Sequence, residues 1–480
     1  MNLASIIDGH DGASIALIED DRHVSYAELR ERVAAMRAHF GSMGLGLGDH
    51  VAVACGNEIH FVVATLGALG AGCVVAPINP YSPINELKRK VAPLDARCIV
   101  IGAVARDMLD HADEFDAPLI DMKTVADSAD APSSVLDVDP DHLAFLLSTS
   151  GVSGTPKIAM LSHNNLAWVQ QSIVGDGPQQ LRADDVSLAV LPPAHILGLN
   201  LVILSALRAG GAVVLQHRFD VDESLRLVSE HQVTMIVGAP PMWQRWAAAD
   251  APADAMASVR FARSGAASLP ADVYERLRTH CGVEVRQGYG LTESSAALAT
   301  GRGLDVRVTS VGKPLPGVEM VLVDDDGEPV DIGDIGEVVV RAPSVFKGYL
   351  NDPEATASIL TDDGWLWTGD VGLFDDDGYL YLVDRVKDII IVSGFNVYPA
   401  EVEDVLMEHP NVRGALVVGG AHGATGETVI AHISGDVSVE DLAEFASSQL
   451  SRYKRPTEYH IVEELPQTAA GKRLRRELRK

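Results

Sequence analysis

The sequence contains little cysteine and little lysine. Its four cysteines are scattered along the chain without metal-ligand spacing: Cys55, Cys73, Cys98 and Cys281. They predict buried free thiols in a reducing compartment, and neither disulfides nor a zinc site. Only ten of the 480 residues are lysines, so a lysine in a glycine-rich stretch stands out. The first eleven residues show no basic stretch followed by an apolar run, so we expect no signal peptide and a cytoplasmic protein.

Positive charge is scarce in the chain as a whole. The formal net charge is −29, from 38 Lys and Arg against 67 Asp and Glu. A field of this sign argues against nucleic acid or an anionic membrane surface as a partner. The longest apolar run, residues 61–78, contains three glycines and ends beside prolines. We therefore interpret it as a buried helix, a glycine cap and a strand, and not as a membrane span.

Residues 148–157 read Ser-Thr-Ser-Gly-Val-Ser-Gly-Thr-Pro-Lys and follow an apolar strand at 143–147. Backbone N–H groups and hydroxyls in such a stretch can surround an anion, and Lys157 adds a point charge. The stretch is not a Walker A loop, because two residues separate Gly154 from Lys157. The residues after Lys157 look like a second strand, with Ser162 as the N-cap of a later helix. The pattern predicts a phosphate loop carried by a hairpin.

The length of the chain and its hydrophobic fraction of 47% indicate two or more domains. Residues 24–40 have helical spacing behind Ser25 as N-cap. Helix–glycine–strand units at 61–78 and 200–216, with strand candidates at 186–191, 233–237, 259–262 and 283–286, predict two α/β subdomains with buried parallel strands.

The predicted secondary-structure pattern changes near residue 318. Short alternating strands at 318–323, 337–341 and 379–383, separated by Asp/Gly turns, predict a small antiparallel β subdomain. Beyond residue 384, strand and helix patterns, including helices at 400–408 and 439–450, predict a compact α+β C-terminal domain. We place the domains at 1–384 and 388–480, with a hinge at 385–387.

Several later segments combine glycine with chemically active side chains. They are Gly265-Ala266-Ala267, Gly288-Tyr289-Gly290-Leu291-Thr292-Glu293, Trp367-Thr368-Gly369-Asp370, Asp384-Arg385-Val386-Lys387, Gly394-Phe395-Asn396 and Gly471-Lys472. Each segment alone has an ordinary structural explanation, such as a turn with a core tyrosine or an exposed loop aspartate. Their fixed order behind the phosphate loop is much more specific than any one of them.

Together these segments resemble the adenylate-forming superfamily, and within it the acyl-CoA synthetases, from about residue 24 to the end of the chain. The resemblance implies an ATP and AMP site made of Thr149, Ser150, Gly151, Ser153, Gly154, Thr155, Lys157, Gly265, Ala266, Ala267, Gly288, Tyr289, Gly290, Thr292, Asp370 and Arg385. It implies Lys472, Thr292, Glu293 and His195 as catalytic residues, with Mg²⁺ on Glu293. It further implies Lys387 as the hinge pivot and a surface for the second half-reaction at Gly394, Phe395 and Asn396.

Two positions depart from the family pattern. Val152 stands where a Ser or Thr is usual, so the loop lacks one hydroxyl. Gln467 stands where a Lys is usual, so the C-terminal motif lacks one charge.

The segment 191–198 resembles the acyl-CoA synthetase form of its motif, with His195 at the key position; a core histidine is the alternative. No aspartate is present there to hold an α-amine, which argues against an amino-acid substrate. The predicted acyl pocket consists of His195, Ala239, Pro240, Trp243 and Ala296. Its small apolar members indicate a mostly apolar acid, and Trp243 favours a short, medium or aromatic one.

The resemblance implies ATP-dependent formation of an acyl adenylate with release of pyrophosphate, followed by transfer to the thiol of CoA. The cofactors implied are ATP and Mg²⁺, with CoA as co-substrate. Two alternatives stay open: a ligase that loads a separate acyl carrier protein, and a catalytically inactive nucleotide-binding protein. The chain length of the acid and the oligomeric state do not follow from the sequence.

Overall fold

The structure is a computed structural model. It describes residues 2–125, 134–150, 156–177, 180–252, 254–266, 269–324, 326–385, 390–393, 395–397, 399–423, 425–465 and 478.

The strands of the large domain, in chain order, are β1 (Ile15–Glu19), β2 (Arg22–Ser25), β3 (His50–Ala54), β4 (Val74–Pro77), β5 (Ala96–Ile101), β6 (Leu119–Asp121), β7 (Leu143–Ser150), β8 (Pro156–Ser162), β9 (Val186–Ala189), β10 (Ala212–Leu215), β11 (Met235–Gly238), β12 (Phe261–Ser264), β13 (Val285–Tyr289), β14 (Ala299–Thr300), β15 (Lys313–Pro314), β16 (Glu319–Val323), β17 (Gly336–Arg341), β18 (Leu366–Phe374) and β19 (Leu380–Arg385). The C-terminal strands are β20 (Ile390–Val392), β21 (Phe395–Val397), β22 (Val412–His422), β23 (Gly426–Gly435) and β24 (Glu458–Ile461).

The α-helices are α1 (Tyr26–Ser42), α2 (Ile59–Gly70), α3 (Ile84–Val91), α4 (His163–Ile173), α5 (Ser205–Ala209), α6 (Val221–Glu230), α7 (Pro240–Ala247), α8 (Ala271–His280), α9 (Pro353–Ala357), α10 (Pro399–Met407) and α11 (Val439–Gln449). A π-helix, Leu197–Leu204, runs directly into α5. Short 3₁₀ turns lie at Leu3–Ile7, Ala92–Leu94, Ala103–Glu114, Thr292–Ser294 and Arg452–Lys454.

Two largely parallel sheets form the large domain, in the orders β6-β5-β3-β4-β7-β8 and β15-β14-β13-β12-β11-β9-β10-β1-β2. Their central strands are apolar on both faces, as in β4 and β11, where every residue is buried. This is typical of parallel sheets covered by helices on both sides. The prediction of two α/β subdomains is therefore confirmed.

An antiparallel sheet in the order β16-β17-β18-β19 follows, which confirms the small β subdomain. The C-terminal domain combines the order β21-β20-β23-β22, with β24 beside β23, and the helices α10 and α11. It has its own apolar core, including Leu406, Val417 and Leu442. The predicted α+β domain is confirmed, and the hinge at 385–387 stays a prediction because 386–389 lie outside the described residues.

Several local predictions are also confirmed. The side-chain oxygens of Ser25 and Ser162 cap α1 and α4, and the run 61–78 folds as the end of α2, a turn and β4. The four cysteines are free thiols; Cys55, Cys73 and Cys98 are buried as predicted, whereas Cys281 is only partly buried.

None of the helices in the described ranges is both long and apolar enough to cross a membrane.

Two stretches differ from the sequence-based interpretation. The predicted α-helix near 201–207 begins four residues earlier as a π-helix, whose residues are all buried. Strand β18 was not predicted, because Gly369 and Asp370 interrupt its alternation of apolar and polar residues. Gly369 has φ = 70°, a left-handed value that glycine adopts without steric cost.

Candidate active site

The two ends of the predicted phosphate loop belong to the antiparallel strands β7 and β8, in which Thr149 faces Lys157. The Thr149 hydroxyl oxygen is buried and has no hydrogen-bond partner in the described part of the chain. A buried polar atom left in this state costs free energy unless a ligand satisfies it. The residues Gly151, Ser153, Gly154 and Thr155 lie outside the described residues, and of Ser150 only the backbone is described.

Tyr349 connects Lys157 to Glu293. The Lys157 ammonium lies 4.8 Å from the centre of the Tyr349 ring, and the Tyr349 hydroxyl donates a 2.6 Å hydrogen bond to Glu293 Oε1. The backbone of Tyr349 forms a bridge to Ala159 in β8. One aromatic residue thus fixes the distance between the predicted phosphate-binding cation and the predicted metal-binding carboxylate.

Replacing Tyr349 with phenylalanine should lower kcat for pyrophosphate release by about 10- to 100-fold, because a hydrogen bond to a charged group contributes about 1.5–3 kcal/mol. The ring over Lys157 is kept in this variant, so KM for ATP should change little. Tyr349→Leu, which removes the ring as well, should also raise KM for ATP. Steady-state kinetics of both variants separates the two contacts; identical kinetics in the two would contradict this division of roles.

The segment after β13 is tightly folded. Tyr289 is buried at the end of the strand, and a 3₁₀ turn presents Thr292 and Glu293. A Cβ added to Gly290 would lie 2.3 Å from the carbonyl oxygen of Ala296, so only glycine fits there. The segment folds back on itself so closely that a side chain at position 290 would push the Glu293 turn out of place.

Two alanines of the predicted site have left-handed backbone angles, with φ = 72° at Ala266 and 96° at Ala296. Residues with a Cβ rarely adopt these values, and such strain clusters at functional sites. Hydrogen bonds hold the second turn in place: Ser295 Oγ donates to the Ser344 carbonyl at 2.9 Å, and Asn200 Nδ2 donates to the Ser295 carbonyl at 3.0 Å. The surrounding structure therefore imposes this backbone.

Asp370 lies in β18 and is 4% exposed. Its Oδ2 accepts a 2.8 Å hydrogen bond from the Tyr289 hydroxyl, which joins the antiparallel subdomain to the end of β13. Its backbone pairs with Arg385 in β19. The fold therefore brings Tyr289, Asp370 and the backbone of Arg385 together, as the resemblance implied; the Arg385 side chain is outside the described set.

His195 lies at the start of the π-helix, where its Nδ1 accepts a 3.4 Å hydrogen bond from the Leu197 N–H. Its ring keeps some accessible surface, but the dense protein around it disfavours charge and lowers the pKa of His195 to about 4. At neutral pH the imidazole is uncharged. It can orient or cover a substrate, but it cannot supply a positive charge to a phosphate.

Three of the predicted acyl-pocket residues, Ala239, Pro240 and Trp243, follow the end of β11. Ala239 is the N-cap of α7 and Pro240 its first residue. Gly265 follows β12, and a Cβ added to it would lie 3.6 Å from Leu197. Trp243 is 0% exposed, and its indole N–H lies 3.2 Å from each of the carbonyl oxygens of Gly238 and Arg263. It forms the packed base of this region, and its role in pocket length stays a prediction.

Few of the predicted site residues in the C-terminal domain are among the residues that the structure describes. Phe395 stacks on Tyr453, with ring centres 4.3 Å apart and an interplanar angle of 22°. For Asn396 only the backbone is described, and Ala267, Lys387, Gly394 and Lys472 lie outside the described residues. Their roles stay predictions.

The two domains meet through a buried ionic cluster. Glu86, in α3, lies 2.9 Å from Lys454 and 2.8 Å from Lys90, and it accepts hydrogen bonds from the backbone N–H and the hydroxyl of Ser451 at 2.6 Å each. Lys454 also contacts Glu401 at 2.6 Å. Burial alone raises the pKa of Glu86, but the two lysines more than offset it and leave the pKa well below its usual range.

ATP and Mg²⁺ fit the residues that are present. The buried Thr149 hydroxyl and Lys157 suit phosphates, and Asp370 suits a ribose. Glu293 offers a carboxylate, and Mg²⁺ commonly binds through one carboxylate plus substrate phosphates. No cluster of three or more metal-ligating side chains occurs among the residues that are described.

Sequence reasoning missed three residues of this region: Tyr349, Asn200 and Arg263. Tyr349 follows Gly348 close to an apolar stretch, a weak signal by itself. Asn200 and Arg263 sit within apolar stretches, and a buried polar residue in such a stretch was the signal available for both.

Comparisons with known proteins agree with this geometry. A model described as "AMP-binding enzyme" matches residues 8–350, and one described as "AMP-binding enzyme C-terminal domain" matches residues 401–472. The 4-coumarate–CoA ligase 3 of Oryza sativa subsp. japonica is 33% identical, over 98% of this chain and 89% of that protein.

Two solved structures are similar throughout. One is a double mutant of o-succinylbenzoate CoA synthetase from Bacillus subtilis bound with the product analogue OSB-NCoA, with TM-score 0.90, 28% identity and coverage of 99% and 98% of the two chains. The other is an amide bond synthetase from Marinactinospora thermotolerans, with TM-score 0.90, 30% identity and coverage of 100% and 99%.

Proposed function

Because the chain belongs to the AMP-binding enzyme family, we propose that it activates a carboxylic acid with ATP and passes the acyl group to CoA. In the first step a carboxylate oxygen attacks the α-phosphorus, and pyrophosphate leaves. In the second step the CoA thiol attacks the acyl carbonyl, and AMP leaves. The observation that carries this proposal is the convergence of Lys157, Glu293 and Asp370, through Tyr349 and Tyr289, on one site.

In this proposal each residue takes the role that the resemblance to the adenylate-forming superfamily implies. Lys157 binds the β- and γ-phosphates, and Asp370 accepts hydrogen bonds from the ribose hydroxyls. Glu293 holds Mg²⁺, which neutralises phosphate charge when bound. His195, uncharged at neutral pH, borders the acyl group. Lys472 supplies the charge at the α-phosphate in the first step.

The acceptor and the acid are proposed from the relatives. Similarity to the 4-coumarate–CoA ligase favours CoA over a carrier protein as the acceptor, and it favours an aromatic acid as the substrate. An aromatic acid suits the alanine-rich pocket and Trp243. The amide bond synthetase makes an amine a second acceptor worth testing. Intact Lys157, Glu293 and Asp370 argue against an inactive nucleotide-binding protein.

We also propose that the docked arrangement of the domains serves the second step. A TM-score of 0.90 over nearly the whole chain requires both domains to superpose together on a structure that holds a product analogue. This similarity supports an arrangement in which Lys472 has left the α-phosphate and the thiol has access.

The proposal is tested with ATP, Mg²⁺ and a panel of aromatic and aliphatic acids, by measuring pyrophosphate with CoA, with an amine, with a carrier protein and with no acceptor. We expect pyrophosphate release and an acyl-CoA product. Lys472→Ala should reduce acyl-adenylate formation by about 100-fold or more, since a preorganised charge at the reacting phosphate is lost. Transfer from pre-formed acyl adenylate should be spared in this variant.

Three results would contradict the proposal. Absence of pyrophosphate with every acid would favour the inactive protein. Transfer of the acyl group only to the carrier protein, or only to the amine, would mean that this molecule and not CoA is the acceptor. Equal loss of both steps in Lys472→Ala would refute the separation of the two arrangements.

A further inference from the structure

Arg263 is a buried charge that nothing in the proposed reaction uses. It lies in β12, one residue before the Ser264–Gly265 end of the strand, and is 6% exposed. Among the residues that the structure describes, its Nε has no hydrogen-bond partner, and its guanidinium makes one long hydrogen bond, 3.4 Å from Nη2 to the Ala299 carbonyl. Among the described residues no carboxylate pairs with it. A buried guanidinium with so few partners is costly unless a ligand compensates it.

The place of the guanidinium is defined by Gly288. A Cβ at Gly288 would lie 2.1 Å from Arg263 Nη2 and 2.6 Å from Cζ, so the absence of a side chain at position 288 makes room for the charge. Gly288 and Tyr289 are consecutive in β13, and consecutive residues of a strand face opposite sides of the sheet. The guanidinium therefore lies on the side of β13 opposite the Tyr289–Asp370 contact.

Helical elements cover that side of the sheet. A Cβ added to Gly265, just after β12, would lie 3.6 Å from Leu197 of the π-helix, and Asn200 bridges from Gln170 of α4 to Ser295. Trp243, a member of the predicted acyl pocket, donates its indole N–H to the Arg263 carbonyl oxygen at 3.2 Å. We therefore assign Arg263 to the side of the sheet where the acyl pocket is predicted.

A second guanidinium increases the positive potential there. Arg302 donates hydrogen bonds to the carbonyls of Ser172 and Ile173 at the end of α4. Burial, and secondarily the charge of Arg302, lower the pKa of Arg263 to about 10, so it remains charged at neutral pH. Arg302 is close enough for its charge to act on Arg263, and in the described part of the chain no carboxylate is paired with Arg263.

We propose that Arg263 is a specificity-determining residue that binds a second carboxylate, at the end of the substrate acid remote from the carboxylate that is adenylated. A planar guanidinium matches a carboxylate with two parallel hydrogen bonds. The substrate class is then an acid with an apolar middle and an anionic far end. This inference rests on the proposed ligase function, because it assigns the far end of that enzyme's substrate.

The test compares acids of equal shape that differ in the charge of the far end. The pairs are 4-carboxycinnamate with 4-isopropylcinnamate, glutarate with 5-methylhexanoate, and adipate with 6-methylheptanoate. Uncharged 4-nitrocinnamate, which keeps the planar oxygens, separates charge from hydrogen bonding. The readout is kcat/KM for each acid from pyrophosphate release, for the wild type, Arg263→Met and Arg263→Lys.

We expect the wild type to prefer the diacid of at least one pair by about tenfold or more, the size of a charge-assisted hydrogen bond. Arg263→Met should lose that preference and keep its activity on the uncharged partner, and Arg263→Lys should keep part of the preference. If Arg263→Met does not fold, the wild-type preference together with Arg263→Lys decides the matter.

The inference is overturned if the wild type uses the uncharged partner as well as the diacid in every pair, or if Arg263→Met loses both acids equally, as a purely structural residue would. The enzyme could instead use other acids that lack a second carboxylate and use neither member of any of these pairs. That result would overturn the role of Arg263, while the ligase proposal would stand. Absence of pyrophosphate with every acid tested would overturn both.

Discussion

Replacing Asp370 with alanine should lower kcat/KM for ATP by about 100- to 10,000-fold, measured as pyrophosphate release. A ribose bound to this carboxylate loses two charge-assisted hydrogen bonds of about 1.5–3 kcal/mol each, and tenfold corresponds to about 1.4 kcal/mol. Burial strengthens the effect, because Asp370 is 4% exposed and water cannot easily replace it. The loss should appear mainly in KM for ATP, since Asp370 does not contact the reacting phosphate.

Asp376 provides the matched control. It has the same side chain and lies six residues away, but it is exposed in the turn before β19. Asp376→Ala should leave kcat/KM for ATP within about twofold, because exposed charges contribute little. A comparable loss in both variants would mean that general charge matters and that no ribose lies at Asp370.

Replacing Glu86 with leucine should slow transfer to CoA by up to about 100-fold and leave acyl-adenylate formation nearly unchanged. The change removes one partner of a buried ion pair, which typically costs about 3–5 kcal/mol because the other charge is left uncompensated. Lys454 would retain only Glu401 of its two carboxylate partners among the described residues. The docked arrangement would become less populated, and the step that needs it would slow. Single-turnover kinetics of each step measures this.

Two further variants control that experiment. Glu86→Leu combined with Lys454→Met should recover part of the transfer rate, because the double change also removes the buried Lys454 charge that the single change leaves undercompensated. The recovery should be only partial, since Lys90 and Glu401 each lose a partner. Lys88→Met alters the same helix, but Lys88 pairs with Glu114 within the large domain at a partly exposed site, so both steps should be unaffected. A slower adenylation step in Glu86→Leu would assign the docked arrangement to the first step.

The pKa of Glu86 also fixes the pH dependence of docking. Because the folded-state pKa is depressed, the stabilisation is fully present above the ordinary glutamate value of about 4.3 and is lost only as pH falls through the depressed value. Docking should therefore not vary between neutral and weakly acidic pH through this residue.

The fold was predicted well where the period of the apolar residues agrees with the positions of the residues that end helices and strands. The helix α1, the run at 61–78 and the hairpin of β7 and β8 each have a regular apolar pattern bounded by a cap, glycine or proline. Strand β18 was missed because Gly369 and Asp370 break that pattern. The π-helix was missed because a run that is apolar except for Asn200 has no polar face to reveal its period.

The site was predictable only as far as its motifs are local in sequence. Asp370 and the exposed Asp376 have the same chemistry, and only the motif around Asp370 distinguished them; the structure adds burial and the Tyr289 contact. The contact of Tyr349 with Glu293 spans 56 residues, and that of Glu86 with Lys454 spans 368. No local pattern reports such pairs. Arg263 was not predicted because its role depends on Gly288 in the neighbouring strand, which has no side chain and so leaves space for the guanidinium.

The π-helix at Leu197–Leu204 is equivalent to an α-helix into which one residue has been inserted. Its wider turn leaves the Asn200 carbonyl to accept from Ser205, through both the backbone and the hydroxyl. A version one residue shorter would form a regular α-helix with better hydrogen-bond geometry. Each α-helical residue turns the chain by about 100°, so the deletion would rotate His195 away from its direction relative to Asn200. In the proposed enzyme, where His195 borders the acyl group, a length change in this helix would therefore alter the choice of acid without any substitution.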